Sequence, residues 1–154
     1  MTAKADFNAE EWSTVVEAPV VAGMRVVSAG RGGRIRESIA IAKVYAAARQ
    51  AQGQSELLDS IVSSPPAVDK QGLQGADDLA TASRDRLVEA IRILNEKAAV
   101  EDVSAYKRFV LGVAQAAAEA HKEGGFIGIG GKRISDEERV ALDEIEAILD
   151  EKVQ

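Results

Sequence analysis

Two glycine-rich stretches hold the residues best suited to chemistry. Residues 124–138 read Gly-Gly-Phe-Ile-Gly-Ile-Gly-Gly-Lys-Arg-Ile-Ser-Asp-Glu-Glu, and a shorter relative, Gly-Arg-Gly-Gly-Arg-Ile-Arg-Glu, occupies residues 30–37. Glycine enters left-handed backbone conformations cheaply and lets a ligand come close to the main chain. Gly128, Gly130 and Gly131, followed by Lys132 and Arg133, could therefore cradle an anion on free amides at a helix start, with Arg34 as the basic counterpart from the first stretch. The acids Asp136, Glu137 and Glu138, joined by Glu37, offer the hard oxygen ligands that Ca²⁺ or Mg²⁺ takes, provided the fold brings the two stretches together. Phe126, Ile127 and Ile129 suggest a third use, an apolar plug turned onto the core or docked on a partner.

Each of these chemistries competes with a plainer structural role. Acids in the first turn of a helix complement its macrodipole without binding anything. No loop carries the alternating ligand spacing of a calcium loop, no strand precedes the glycines, and the phosphate-loop pattern G-x-x-x-x-G-K-[ST] is absent. Three exposed large apolar side chains would cost solubility, which favours a packed loop. The single histidine, His121, falls near a helix end where an imidazolium is favoured by the dipole. With no second histidine and no nucleophile elbow, no catalytic residue is assigned, and a divalent cation is the one cofactor the residues leave open.

Composition narrows the field. The 154 residues contain no cysteine, which rules out disulfides, thiolate–zinc sites and a cysteine nucleophile within this sequence. A formal net charge of −6 argues against nucleic-acid binding, which needs clustered Lys and Arg to neutralise phosphates. The polar start and the lack of any uncharged apolar run near the ~18 residues of a spanning helix predict neither a signal peptide nor membrane insertion, so a cytoplasmic location is expected by elimination. Aliphatics and alanine dominate, and aromatics make up 4% of the chain, which favours packed helices over a β-sandwich. An all-α, single-domain bundle of six or seven helices is expected over residues 1–154.

The elements follow from caps and spacing. Asn8 and Glu11 form a capping box and Phe7 can staple onto Trp12, opening a helix over 9–18. Pro19 lacks an amide hydrogen, so it is expected to open a second helix that stops near Gly30. Beyond the glycines, Ile35, Ile39, Ala42 and Ala46 recur on one face of a helix, with Ile41, Val44 and Tyr45 widening the stripe, and this helix is expected to be largely buried. Gly53 ends it, and Ser55 caps a short helix that stops at Pro65 and Pro66. Residues 63–76 read as the longest loop. Asp77 or Asp78 then starts a helix with the apolar row Leu87, Ile91 and Leu94, ending near Lys97. Asp102 or Ser104 is expected to cap the next, whose stripe Phe109, Val110, Val113, Ala114, Ala117 and Ala120 turns alanine-rich. Ser135 and Glu138 box the last, carrying Leu142, Ile145, Ile148 and Leu149. The charges Arg84, Arg86, Arg92 and Lys97, interleaved with Asp85, Glu89 and Glu96, read as a solvated face.

The two glycine corners share a glycine turn, basic residues, isoleucine and then acid, which suggests duplication of a helix–glycine turn–helix unit with half-repeats near 9–62 and 77–150. The run from Val113 to Gly124, followed by Ile134-Ser-Asp-Glu-Glu138, Ala141-Leu142 and Glu144-Ile145, and the segment from Val26 to Ile41, resemble the bacterial tellurite-resistance TerB-type domain. That resemblance implies a helical fold of two such halves, with acids beside the turn glycines implicated in divalent-metal binding. Here the turns read Ser28-Ala29-Gly30 and Lys122-Glu123-Gly124, so only Glu37, Asp136, Glu137 and Glu138 carry over. Two functions are expected from different classes, and a third, an enzyme, is kept only because helical bundles can host sites in their interiors. The first is a non-catalytic helical interaction or structural domain with a protein partner, as a homodimer through alanine-rich or glycine-loop surfaces. The second is a small-ligand, anion or divalent-cation sensor of TerB-like type.

Overall fold

The computed structural model describes residues 2–29, 34–53, 55–63, 76–123 and 136–150, and of 28–29, 34–38, 76–78 and 121–123 the backbone alone. A short 3₁₀ turn, Lys4–Asp6, precedes α1 (Ala9–Ala29), α2 (Arg34–Gln50), α3 (Glu56–Val62), α4 (Ala76–Lys97), α5 (Val100–Glu123) and α6 (Asp136–Asp150). The molecule is an all-α bundle, with no strand among the described residues. Among those residues no helix is long and apolar enough to cross a membrane. The long helices α1 and α5 form the centre: α4 lies along α1, α2 leans on α5, and α6 touches α1, α4 and α5. One connected core runs through all six, from Val15 and Val26 through Tyr45, Ile61, Leu87 and Leu94 to Tyr106, Val113, Ile145 and Leu149.

The first turn of α1 forms as its sequence dictates. The Asn8 side chain accepts from the Glu11 amide at 2.9 Å, the Glu11 carboxylate accepts from the Asn8 amide at 2.9 Å, and the Phe7 and Trp12 rings lie 5.7 Å apart. These contacts satisfy amides that a helix start otherwise leaves open. Ser55 likewise caps α3, its hydroxyl accepting from the Leu58 amide, and Gly53 takes a φ of 101° that only glycine adopts without strain.

Three expectations are corrected. Pro19 does not divide the first helix: α1 runs unbroken from Ala9 to Ala29 with the proline inside it. A proline in a helix interior leaves the carbonyl four residues earlier without its donor. That carbonyl is Val15's, and the buried Tyr106 hydroxyl of α5 donates to it at 2.7 Å. The second correction concerns α2, which buries residues expected only to widen its stripe and leaves Ile39, Ala42 and Ala46 of the leading row in water. Ile41 and Tyr45 are buried, whereas Ile39 is 51% exposed and Ala42 and Ala46 are exposed as well. Nearly the whole circumference of this helix is apolar, so spacing identifies stripes but does not choose between them. The choice falls to shape, because Tyr45 meets Phe109 edge-on at 5.1 Å and Ile41 fills the space left by Gly23.

The third correction is at α5, which begins at Val100, so Asp102 lies within its first turn instead of capping it. Asp102 is buried, and it accepts from the Thr2 amide at 3.0 Å and the Ser55 hydroxyl at 2.8 Å. The Thr2 hydroxyl in turn accepts from the Ala99 amide at 3.0 Å. The start of the chain, the cap of α3 and the start of α5 are thereby tied at one point.

Candidate functional site

Of the residues singled out for chemistry, Gly128, Gly130, Gly131, Lys132, Arg133, Phe126, Ile127 and Ile129 lie outside the described residues, as do both glycine corners of the half-repeats. Arg34 and Glu37 belong to the first turn of α2, and His121 to the last turn of α5, with their side chains outside the description. The acids of α6 are described and they diverge. Asp136 and Glu137 are exposed, whereas Glu138 is 1% exposed and faces the core. Among the described residues no three His, Cys, Asp or Glu side chains gather as metal ligands.

The feature the sequence did not reveal is a groove of about 500 Å³ between α2 and α5. Its α2 wall is built by Ile39, Ala40, Lys43, Val44 and Ala47, and its α5 wall by Ala116, Glu119 and Ala120. Burial of Ile41 and Tyr45 on one side of α2 rotates Ile39 and Lys43 to the opposite side, since residues two apart on a helix point roughly 160° away from each other. The small side chains on both walls leave the cleft open. Ile39 has an aliphatic side chain half in water, which carries no benefit to the folded monomer. Lys43 and Glu119, exposed on opposite walls, make neither an ion pair nor a hydrogen bond among the described residues.

A second, larger groove of about 670 Å³ lies among α1, α4 and α6, where Arg25, Arg84, Val88, Glu144 and Ile148 meet. Two of its lining residues already pair, the Arg25 guanidinium lying 3.3 Å from Glu144. The interleaved charges of α4 also do more than solvate. Arg86 reaches Glu17 and Lys97 reaches Glu11, each at 2.6 Å, so α4 is laced to α1, while Arg92 pairs within its own helix to Glu89 and Glu96.

Asp102, Thr2 and Ser55 form a buried polar cluster. Burial alone would push the Asp102 carboxyl up, but the hydrogen bonds from Ser55 and Thr2 outweigh that and hold it below its ordinary value. A serine donating to a carboxylate could suggest nucleophile activation. Ser55 is buried and its oxygen already accepts from Leu58, so the pair works as a structural tie. Neither partner was legible as such, because the contacts span 47 and 100 positions.

Comparison of the chain with protein-family models, with curated proteins and with solved structures finds no match, so the resemblance to the TerB-type domain stands on the quoted residues alone.

Proposed function

We propose that this chain is a non-catalytic helical interaction domain that binds protein through the α2–α5 groove. The observation that carries this reading is the exposed row Ile39, Ala42 and Ala46 beside an open cleft, an apolar helix face that the bundle itself leaves uncovered. Helix-lined grooves of this kind receive another helix through anchors one turn apart. The cation-sensing alternative calls for Glu37 to come together with Asp136, Glu137 and Glu138, and the burial of Glu138 apart from the exposed Asp136 and Glu137 favours the interaction reading.

A photo-crosslinking amino acid at position 39 or 47, in the chain expressed in its native cells, tests the assignment. Adducts to protein are expected there and not at the exposed position 146 of α6. Equal labelling at position 146, or no adduct at either groove position, would overturn it.

A further inference from the structure

We infer that the occupant of the α2–α5 groove is a second copy of this chain, docked about a twofold axis so that Lys43 of each copy meets Glu119 of the other. The inference rests on the interaction reading above and names its partner. In a twofold interface the same patch serves both subunits, and residue i of one faces residue j of its partner while j faces i. Such a patch must carry its own complement. This one does, since among the described residues one cation and one anion, both exposed and neither paired there, stand on opposite walls of one apolar cleft. A partner of uniform charge would gain at one wall and be repelled at the other.

The chain as a whole carries −6, which sets two copies against each other at long range. Among the described residues that line the groove, Lys43 and Glu119 cancel, so the walls themselves add no net charge. The groove alanines at 40, 47, 116 and 120 allow helix axes to approach toward the near end of the usual 8–10 Å range, and Ile39 supplies the anchor that fills the partner's cleft. The 17-residue α2 is about 26 Å long, so the contact belongs with the smaller interfaces and association in the micromolar range is expected.

Sedimentation of the full chain from about 1 to 300 µM should show reversible growth from the 16.3 kDa monomer to twice that mass. Lys43→Glu alone and Glu119→Lys alone should each weaken association about tenfold or more, because two attractive pairs become two repulsive ones. The double variant, and an equimolar mixture of the two single variants, should both return to near the wild-type constant. Both positions are exposed, and unchanged helical circular dichroism and melting establish that the variants fold. A wild-type chain that stays monomeric throughout would overturn the second copy as occupant, and the adduct mass at position 39 then shows whether the interaction reading survives with another protein. Dimers insensitive to either charge reversal would place the interface elsewhere and overturn the proposal equally.

Discussion

Tyr45 and Tyr106 share one core cluster and are both almost fully buried, yet they differ by a hydrogen bond. Burial raises both phenols above their ordinary value, so both keep their protons and can donate. Tyr106 gives its proton to the Val15 carbonyl, which Pro19 deprives of its helical donor. The Tyr45 hydroxyl has no hydrogen-bond partner among the described residues. Removing the Tyr106 hydroxyl therefore strands a buried carbonyl, whereas removing the Tyr45 hydroxyl strands nothing. Tyr106→Phe should destabilise the chain by about 1–3 kcal/mol and Tyr45→Phe should be neutral or mildly stabilising, both read by urea unfolding. In a Pro19→Ala background the residue at 19 again supplies an amide to Val15, and the cost of Tyr106→Phe should fall below about 1 kcal/mol. Strict additivity of the two substitutions would mean that the phenol does not serve the proline's missing bond.

At the scale of the helices, the close approach of α1, α2 and α5 depends on Gly23. A methyl group there would lie 2.8 Å from Ile41 Cδ1 and 3.0 Å from Val113 Cγ1, while at Gly112 it would meet nothing within 4 Å. The Ile41 terminus can rotate aside, but Val113 is branched at Cβ and stiff. Gly112→Ala should raise stability by up to about 1 kcal/mol through helix propensity alone, and Gly23→Ala should lower the melting temperature despite the same gain. Equal upward shifts would show that the three helices are not in tight register. The elements legible in the sequence were those whose determinants are neighbours: the Asn8–Glu11 box, the Phe7–Trp12 staple, the Ser55 cap and the end of α4 at Lys97. What escaped was decided across the fold. Pro19 is accommodated by a tyrosine 87 positions away (106 less 19), and Asp102 is held by Thr2 and Ser55. The exposed face of α2 follows from Phe109 and Gly23, which no periodicity within residues 34–50 encodes. The groove was hidden for the same reason, since Ile39 becomes half of a cleft only once Ala116 and Glu119 stand opposite it.

Across the whole molecule, charge fastens the helices and makes the assembly sensitive to acid. Glu11 and Glu17 of α1 pair with Lys97 and Arg86 of α4, and Arg25 of α1 pairs with Glu144 of α6. Each exposed pair is weak alone. Among the described residues three carboxyls are nevertheless held below their ordinary values of 4.5 for Glu and 3.8 for Asp. Glu11 is lowered by the Lys97 hydrogen bond and the Asn8 amide, and Glu89 by Arg92. For Asp102 it is the Ser55 and Thr2 bonds that prevail over burial. A depressed carboxyl stabilises the fold above its unfolded value and loses that contribution as the pH falls through its folded value, because the unfolded chain takes up the proton first. The melting temperature should accordingly stay level from about pH 8 to 5 and drop below about pH 4. Asp102→Asn isolates the buried member of the set. An uncharged amide keeps at most the Thr2 bond on its one oxygen and must turn the Ser55 bond around, so both charge-assisted bonds are lost and the variant should melt lower at pH 7. With no carboxyl at 102 left to protonate, its melting temperature should also fall less steeply below pH 4 than that of the parent chain. Parallel curves for the two proteins would mean that the acid response comes from the surface pairs alone and that the Thr2–Ser55–Asp102 junction contributes nothing to it.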